Sequence, residues 1–281
     1  MNAKKLFWYF PVLVIASVIT ITACNKKDSN SSTSVPSDQE NKDYGLENTR
    51  FDKIFIDADN MADQAFELTR NTTLKGIALG SECAMIDIDT TAKKITISFG
   101  SANCLCRDGR YRRGMVNINY TGNYSDSSNF HVITFKDYYV NNYKVEGTRT
   151  ITYMGKNKEQ KKYWNVDMNA AVTSPDGKLT TRGTGTFQRT MISGDWSPNY
   201  ADDDQYSIKG TGVFTAASGV QYNVKTDEAL IVHVNCAWIN MGIMEIIPVG
   251  GIARRVDYGQ GECDDKSVFT VNNSSSAMKM D

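Results

Sequence analysis

Hydrophobic and polar positions along this chain follow four rhythms. Leu6 to Ile21 is almost uninterrupted apolar sequence behind Lys4 and Lys5, whereas Asn25 to Arg50 carries only Val35, Tyr44 and Leu46 as sizeable apolar residues. Phe51, Ile54, Phe55, Ala58, Met61, Ala62, Ala65 and Phe66 then recur at three- and four-residue steps, with Asp52, Asp57, Asp59, Asp63 and Glu67 mostly between them. That spacing predicts an amphipathic helix over residues 50–69 whose apolar stripe closes one face or end of a sheet.

From Cys83 onward the period drops to two, with β-branched and aromatic residues enriched. Antiparallel strands are predicted over 83–89, 94–99, 114–121, 129–140, 143–154, 162–173, 178–191, 205–216, 219–232, 235–247, 252–258 and 266–272. Ser174-Pro175-Asp176-Gly177, Pro248-Val249-Gly250-Gly251 and Asn141-Asn142 supply turn chemistry between them. Such short links make hairpins, and no helical stretch separates the strands as a parallel βαβ sheet requires. The expected fold is therefore mainly β: a large twisted antiparallel meander, open or partly rolled because large sheets curl, with one N-terminal amphipathic helix. Arg149, set between Val145 and Ile151, and Arg182-Gly183-Thr184-Gly185-Thr186, polar on both faces, interrupt the lipid-facing band of a transmembrane barrel.

The N-terminus carries an address. Met1 to Ala23 has the layout of a secretory signal and is too short and weakly flanked for a stable membrane span. Its end, Ile21-Thr22-Ala23-Cys24, resembles a bacterial lipobox, which implies cleavage before Cys24 and lipidation of that cysteine. Residues 24–50 read as a lipidated cysteine and disordered tether with a reach of about 28 Å. Residues 51–272 read as a single β-rich domain, and 273–281 as a flexible tail.

Charge narrows the function. Thirty-one Lys and Arg face 32 Asp and Glu, and loss of residues 1–23 removes two lysines and no acids, leaving 29 against 32 and a charge of −3. Nothing is basic enough to coat nucleic-acid phosphate. His131 and His233, the two histidines, stand far apart in predicted strands, and no Gly-x-Ser-x-Gly elbow is present. No catalytic residue, metal site or cofactor is predicted.

An internal echo adds a disulfide framework. Cys83-Ala84-Met85-Ile86 is matched by Cys236-Ala237-Trp238-Ile239, and Phe99-Gly100 with Cys104 by Tyr258-Gly259 with Cys263. Each block is a hairpin with a cysteine at either open end, so Cys83 is expected to pair with Cys104 and Cys236 with Cys263, leaving Cys106 odd. The alternative register pairs Cys83 with Cys106 and frees Cys104. Export past the inner membrane would let such bridges persist.

With Phe99-Gly100, Asn103-Cys104, Asp108-Gly109-Arg110-Tyr111-Arg112-Arg113-Gly114, Val145-Glu146-Gly147-Thr148-Arg149-Thr150 and Asp257-Tyr258-Gly259, the chain resembles a family of uncharacterised β-rich lipoproteins of Gram-negative bacteria over residues 51–272. The resemblance implies an outer-membrane lipoprotein, facing the periplasm or the cell surface, and brings no activity with it.

Several clusters are candidate sites. Arg107, Arg110, Arg112 and Arg113 crowd one turn and the strand after it and could grip phosphate or carboxylate groups, unless cross-strand pairing with Glu146 and Asp108 occupies them. Asp202-Asp203-Asp204 offers oxygen ligands for calcium or forms an acidic solvated loop. Trp164, Trp196, Tyr138, Tyr139, Tyr143, Tyr200 and Tyr206 form a sugar-stacking platform or pack in the core. The expected function is a non-enzymatic binding or structural role at the envelope, with a membrane held through Cys24 and a glycan, lipid or protein as partner. The alternative is an envelope hydrolase or processing enzyme with a dispersed site.

Overall fold

The computed structural model describes residues 38–70, 84–122, 128–194 and 203–280. Cys24, Cys83, Trp196, Tyr200 and Asp202 lie outside the described residues. Among the described residues one helix, α1 (Asp38–Arg70), precedes fourteen strands. These are β1 (Met85–Asp89), β2 (Lys94–Ser98), β3 (Cys104–Leu105), β4 (Tyr111–Tyr120), β5 (Phe130–Val140), β6 (Tyr143–Lys156) and β7 (Lys162–Thr173). They continue as β8 (Thr180–Ser193), β9 (Gln205–Thr215), β10 (Gln221–His233), β11 (Ile239–Pro248), β12 (Arg254–Gln260), β13 (Lys266–Val271) and β14 (Ser274–Lys279). Strand order in space follows strand order in sequence, except that two-residue β3 lies off the path and pairs with β4. The sheet is an antiparallel meander that runs from β1 to β14 without closing into a barrel.

Contacts of α1 reveal the roll. Arg112 on β4, Arg149 on β6, Arg189 on β8 and Tyr258 on β12 all reach helix side chains, and Lys42 donates to the Ala277 carbonyl on β14. A meander that meets one helix from β4, β6, β8, β12 and β14 is wrapped around it. The helix is therefore not a lid on one face. Phe51, Phe55, Ala58 and Ala62 are buried, and so are Asn48, Thr49, Asp59 and Asp63.

Two boundaries differ from the sequence reading. The helix begins at Asp38 rather than near residue 50, inside the stretch read as tether, because polar groups there find partners on the sheet. Glu47 accepts from the Thr181 hydroxyl and the Ala217 N–H, and Thr49 bonds the Tyr258 hydroxyl. The stretch read as a flexible tail contains β14. Asn272 and Asn273 both adopt positive φ, 51° and 61°, as in the two-residue turns that match hairpin twist, and Met278 and Met280 beyond them are buried.

Glycines explain the stretch that looked polar on both faces. Gly183 and Gly185 point inward on β8, and a Cβ added to either would strike the ring of Phe214 or Phe187. The two rings lie over bare backbone, so aromatic carbon from neighbouring positions fills what glycine leaves open. Gly114 is needed for another reason. It has φ +87° in the β4–β5 bulge, and a Cβ there would collide with the Asp137 carbonyl.

The second half of the sequence echo is seen directly. β11 and β12 pair antiparallel, and a Cys236–Cys263 disulfide closes their open end. Cys104 is disulfide-bonded to a partner outside the described residues, and buried Cys106 is a free thiol. The alternative register, with Cys104 free and Cys106 bridged, is thereby corrected. A 27-residue separation predicts that removing the second bridge by Cys236→Ala with Cys263→Ala lowers unfolding free energy by roughly 3–4 kcal/mol. Urea titration measures this, and a loss below about 1 kcal/mol would place the hairpin's stability in its ladder alone.

Candidate functional site

The arginine-rich segment divides as strand alternation requires. Successive side chains on β4 point to opposite faces, so Arg112 turns in toward α1 while Arg113 turns out. Outward Arg113 donates to the Asn103 and Asn142 side-chain oxygens, 2.7 Å each, and lies 3.7 Å from the centroid of Tyr139. Inward Arg112, 3% exposed, donates to Asp57 on the helix at 2.8 Å and to Asp108 at 2.6 Å. Arg110, in the turn before β4, binds Asp57 at 2.9 Å and reaches across to the Ala237 carbonyl at 2.8 Å. Of the partners expected from sequence, Asp108 is engaged, whereas Glu146 pairs with Lys144 instead.

The Arg110 bridge spans a cleft of about 330 Å³. One wall is the face of α1 bearing Lys53, Ile56, Asp57, Asn60, Met61 and Gln64, residues spaced at helical steps. A second is the β3–β4 turn with Arg107, Asp108, Arg110 and Arg112, and the third is the β10–β11 link from Val234 to Trp238. The Cys236–Cys263 bridge tethers this third wall, and the Lys53 ammonium sits 3.6 Å from the Trp238 ring centroid. Four cations, Lys53, Arg107, Arg110 and Arg112, meet two acids, Asp57 and Asp108, so the walls carry a formal charge of +2.

Hydrogen-bond bookkeeping gives that charge a direction. Asp57 accepts from Arg110 and Arg112. Asp108 accepts from both terminal guanidinium nitrogens of Arg112, Nη1 and Nη2, and from the Arg110 backbone N–H. Burial works against the charged form of Asp108, but bonding and charge from Arg112, with Arg110, hold its carboxyl below the ordinary value. Both acids are therefore committed to holding the wall together. Arg107 stands exposed at the rim, and Asn235 is exposed opposite it. The cleft offers donors, and its two carboxylates are already engaged.

The comparisons with known proteins return no match, whether to a family model, a curated protein or a solved structure.

Other sequence candidates fall elsewhere. His131, on β5, is buried beside Phe66, and burial, helped by the Arg189 charge, pushes its pKa down to about 3. His233 ends β10 and pairs with Gln205. Neither lines the cleft. Of the described aromatics, Trp164, Tyr138 and Tyr206 are buried in the core, with Trp164 edge-on to Tyr206 at 6.0 Å between centroids. The acidic run is not a solvated loop throughout either, because Asp204 is 1% exposed and accepts from the Tyr206 hydroxyl. A second concavity lies on the outer face of β6 to β10, edged by Thr150, Thr184, Thr186 and Thr211, with Asp167 balancing Lys225. It has no charge bias.

Sequence reasoning missed Lys53, Asp57, Asn60 and Trp238 as parts of one site. Asp57 was legible only as a polar helix position, and its arginine partner lies 55 residues away.

Proposed function

We propose that this chain is a lipid-anchored lipoprotein of the Gram-negative outer membrane that binds an anionic ligand in the cleft between α1, the β3–β4 turn and the β10–β11 link, and does not transform it. The observation that carries the reading is the cleft's surplus of positive charge and donors, in a protein whose mature chain is otherwise acidic. A hydrolase would call for a general base at the same place, and no histidine lines the cleft. Both acids there are already paired with guanidinium groups, and for Asp108 that pairing lowers the basicity of the carboxylate.

Anchoring supplies the location. With Cys24 acylated, detergent should be required to release the protein from membranes, and Cys24→Ser should leave it soluble or unprocessed, as membrane fractionation would read. Recovery of the unaltered protein in the soluble fraction, with the bond between residues 23 and 24 intact, rules the anchor out. For the cleft, titration with inorganic phosphate at low ionic strength should perturb Trp238 fluorescence, and Arg107→Ser should weaken the response. A response that salt does not weaken would argue against an electrostatic site.

A further inference from the structure

Resting on that reading, we propose that the ligand of the cleft is a phosphate ester, a phosphoryl group carrying an organic substituent, rather than a carboxylate. Three elements present donors from three sides. Arg107 comes from the β3–β4 turn, Asn235 from the β10–β11 link and Asn60 from the helix. Asn60, which lines the cleft, uses its side-chain oxygen to accept from Arg189 at 3.0 Å, so what its side chain has left to offer a ligand is the NH₂ donor. A planar carboxylate is best met by one coplanar fork, as Asp108 already is by Arg112. Donors arriving from a helix, a turn and a loop suit an anion whose oxygens point in several directions, and a tetrahedral phosphoryl group has that shape.

The substituent follows from what remains of the lining. The volume of about 330 Å³ is at the small end of the range for organic ligands and well above what a bare oxyanion fills. Ile56, Met61 and Trp238 give the rest of the cleft apolar and aromatic surface. A sugar phosphate and a phospholipid headgroup share this chemistry, and both are compatible with a protein held at a membrane.

The test uses the mature protein in low-salt buffer, with binding followed by calorimetry against glucose 6-phosphate, glucuronate and glucose. Glucose 6-phosphate should bind at least about 10-fold more tightly than glucuronate, and glucose should not bind measurably. Arg107→Ser and Asn235→Ser should each weaken the ester by about 5- to 10-fold, in line with one charge-assisted or polar bond lost. Both side chains are exposed, so thermal unfolding should stay near that of the parent, and Lys178→Ser, on a distant exposed turn, should change nothing. Flotation of the Cys24→Ser protein, which has no acyl anchor, with vesicles of phosphatidylcholine with and without phosphatidic acid identifies the source. Binding that requires the phosphatidic acid marks a membrane headgroup and binding to the free ester a soluble one, and either supports the ester. Glucuronate binding as well as glucose 6-phosphate overturns the ester while leaving the anion cleft in place. Absence of binding to every anion, free or vesicle-borne, overturns both.

Discussion

Arg189→Met alone should destabilise the protein by about 3–5 kcal/mol, enough to leave many domains unfolded at 37 °C. Arg189 is 1% exposed and Asp63, its partner 126 residues earlier, 3%. Their N and O atoms lie 2.5 Å apart, the guanidinium also donates to Asn60, and it stacks 3.4 Å from the Tyr206 ring centroid. Removing the arginine takes away the charge that compensates a buried carboxylate, where desolvation is costly. Asp63→Leu combined with Arg189→Met should recover most of the loss, since an apolar pair of similar volume has no charge to desolvate. Chemical denaturation of the two single variants and the double variant measures the coupling. A double variant no more stable than Arg189→Met would show that packing around the guanidinium, and not the stranded charge, sets the cost. The neighbouring pair, Arg149 with Asp59 at 2.6 Å, is 5% and 1% exposed and should behave in the same way.

Stability should fall as pH rises from about 4 to 7. Burial pushes the Asp52 carboxyl up to about 7, against the Arg149 charge and a hydrogen bond from Asn48. Burial likewise pushes Asp204 up to about 7, opposed by the Tyr206 hydrogen bond and assisted by repulsion from Asp63. In both cases the folded chain holds a proton that the unfolded chain has released above its ordinary value of 3.8. The unfolded state therefore binds fewer protons across this window, so its share grows as pH rises and levels off above the folded value. Each group contributes a loss of about 2–4 kcal/mol between those limits. Asp108 acts in the opposite sense and below that window, because its lowered carboxyl stabilises the fold above the ordinary value and loses the contribution as acid protonates it. The expected profile is a maximum on the acid side of neutrality. Urea titrations at pH 5 and pH 8 check it, and Asp52→Asn should flatten the difference by raising stability at pH 8. Equal stability at the two pH values, with no gain from Asp52→Asn, would mean that water or counter-charge relieves both carboxylates.

What was legible in the residues themselves is the local part of the structure. Period-two alternation marks most of the strands closely, including β7 from Lys162 to Thr173, because alternation is dictated by the pleat and needs no knowledge of the partner strand. Asn141-Asn142 announces its hairpin for a similarly local reason, and the same turn at Asn272-Asn273 could have been read in the same way. The Cys236–Cys263 pairing was legible because its two cysteines bracket one hairpin.

Tertiary structure alone decided what fills the roll. Asp59 and Asp63 look like the wet face of an amphipathic helix, and Arg149 looks like a fault in a strand, until the sheet curls and joins each acid to an arginine 90 or 126 residues away. Residues 38–49 look like tether until Thr181, Ala217 and Tyr258 meet their polar groups. The cleft has the same origin: Arg107, Asn60 and Asn235 become one surface only when a turn, a helix and a loop distant in sequence converge. Periodicity reports which face a side chain takes on its own element. Whether that face meets water or an opposite charge depends on where the other elements go, and no local pattern encodes it.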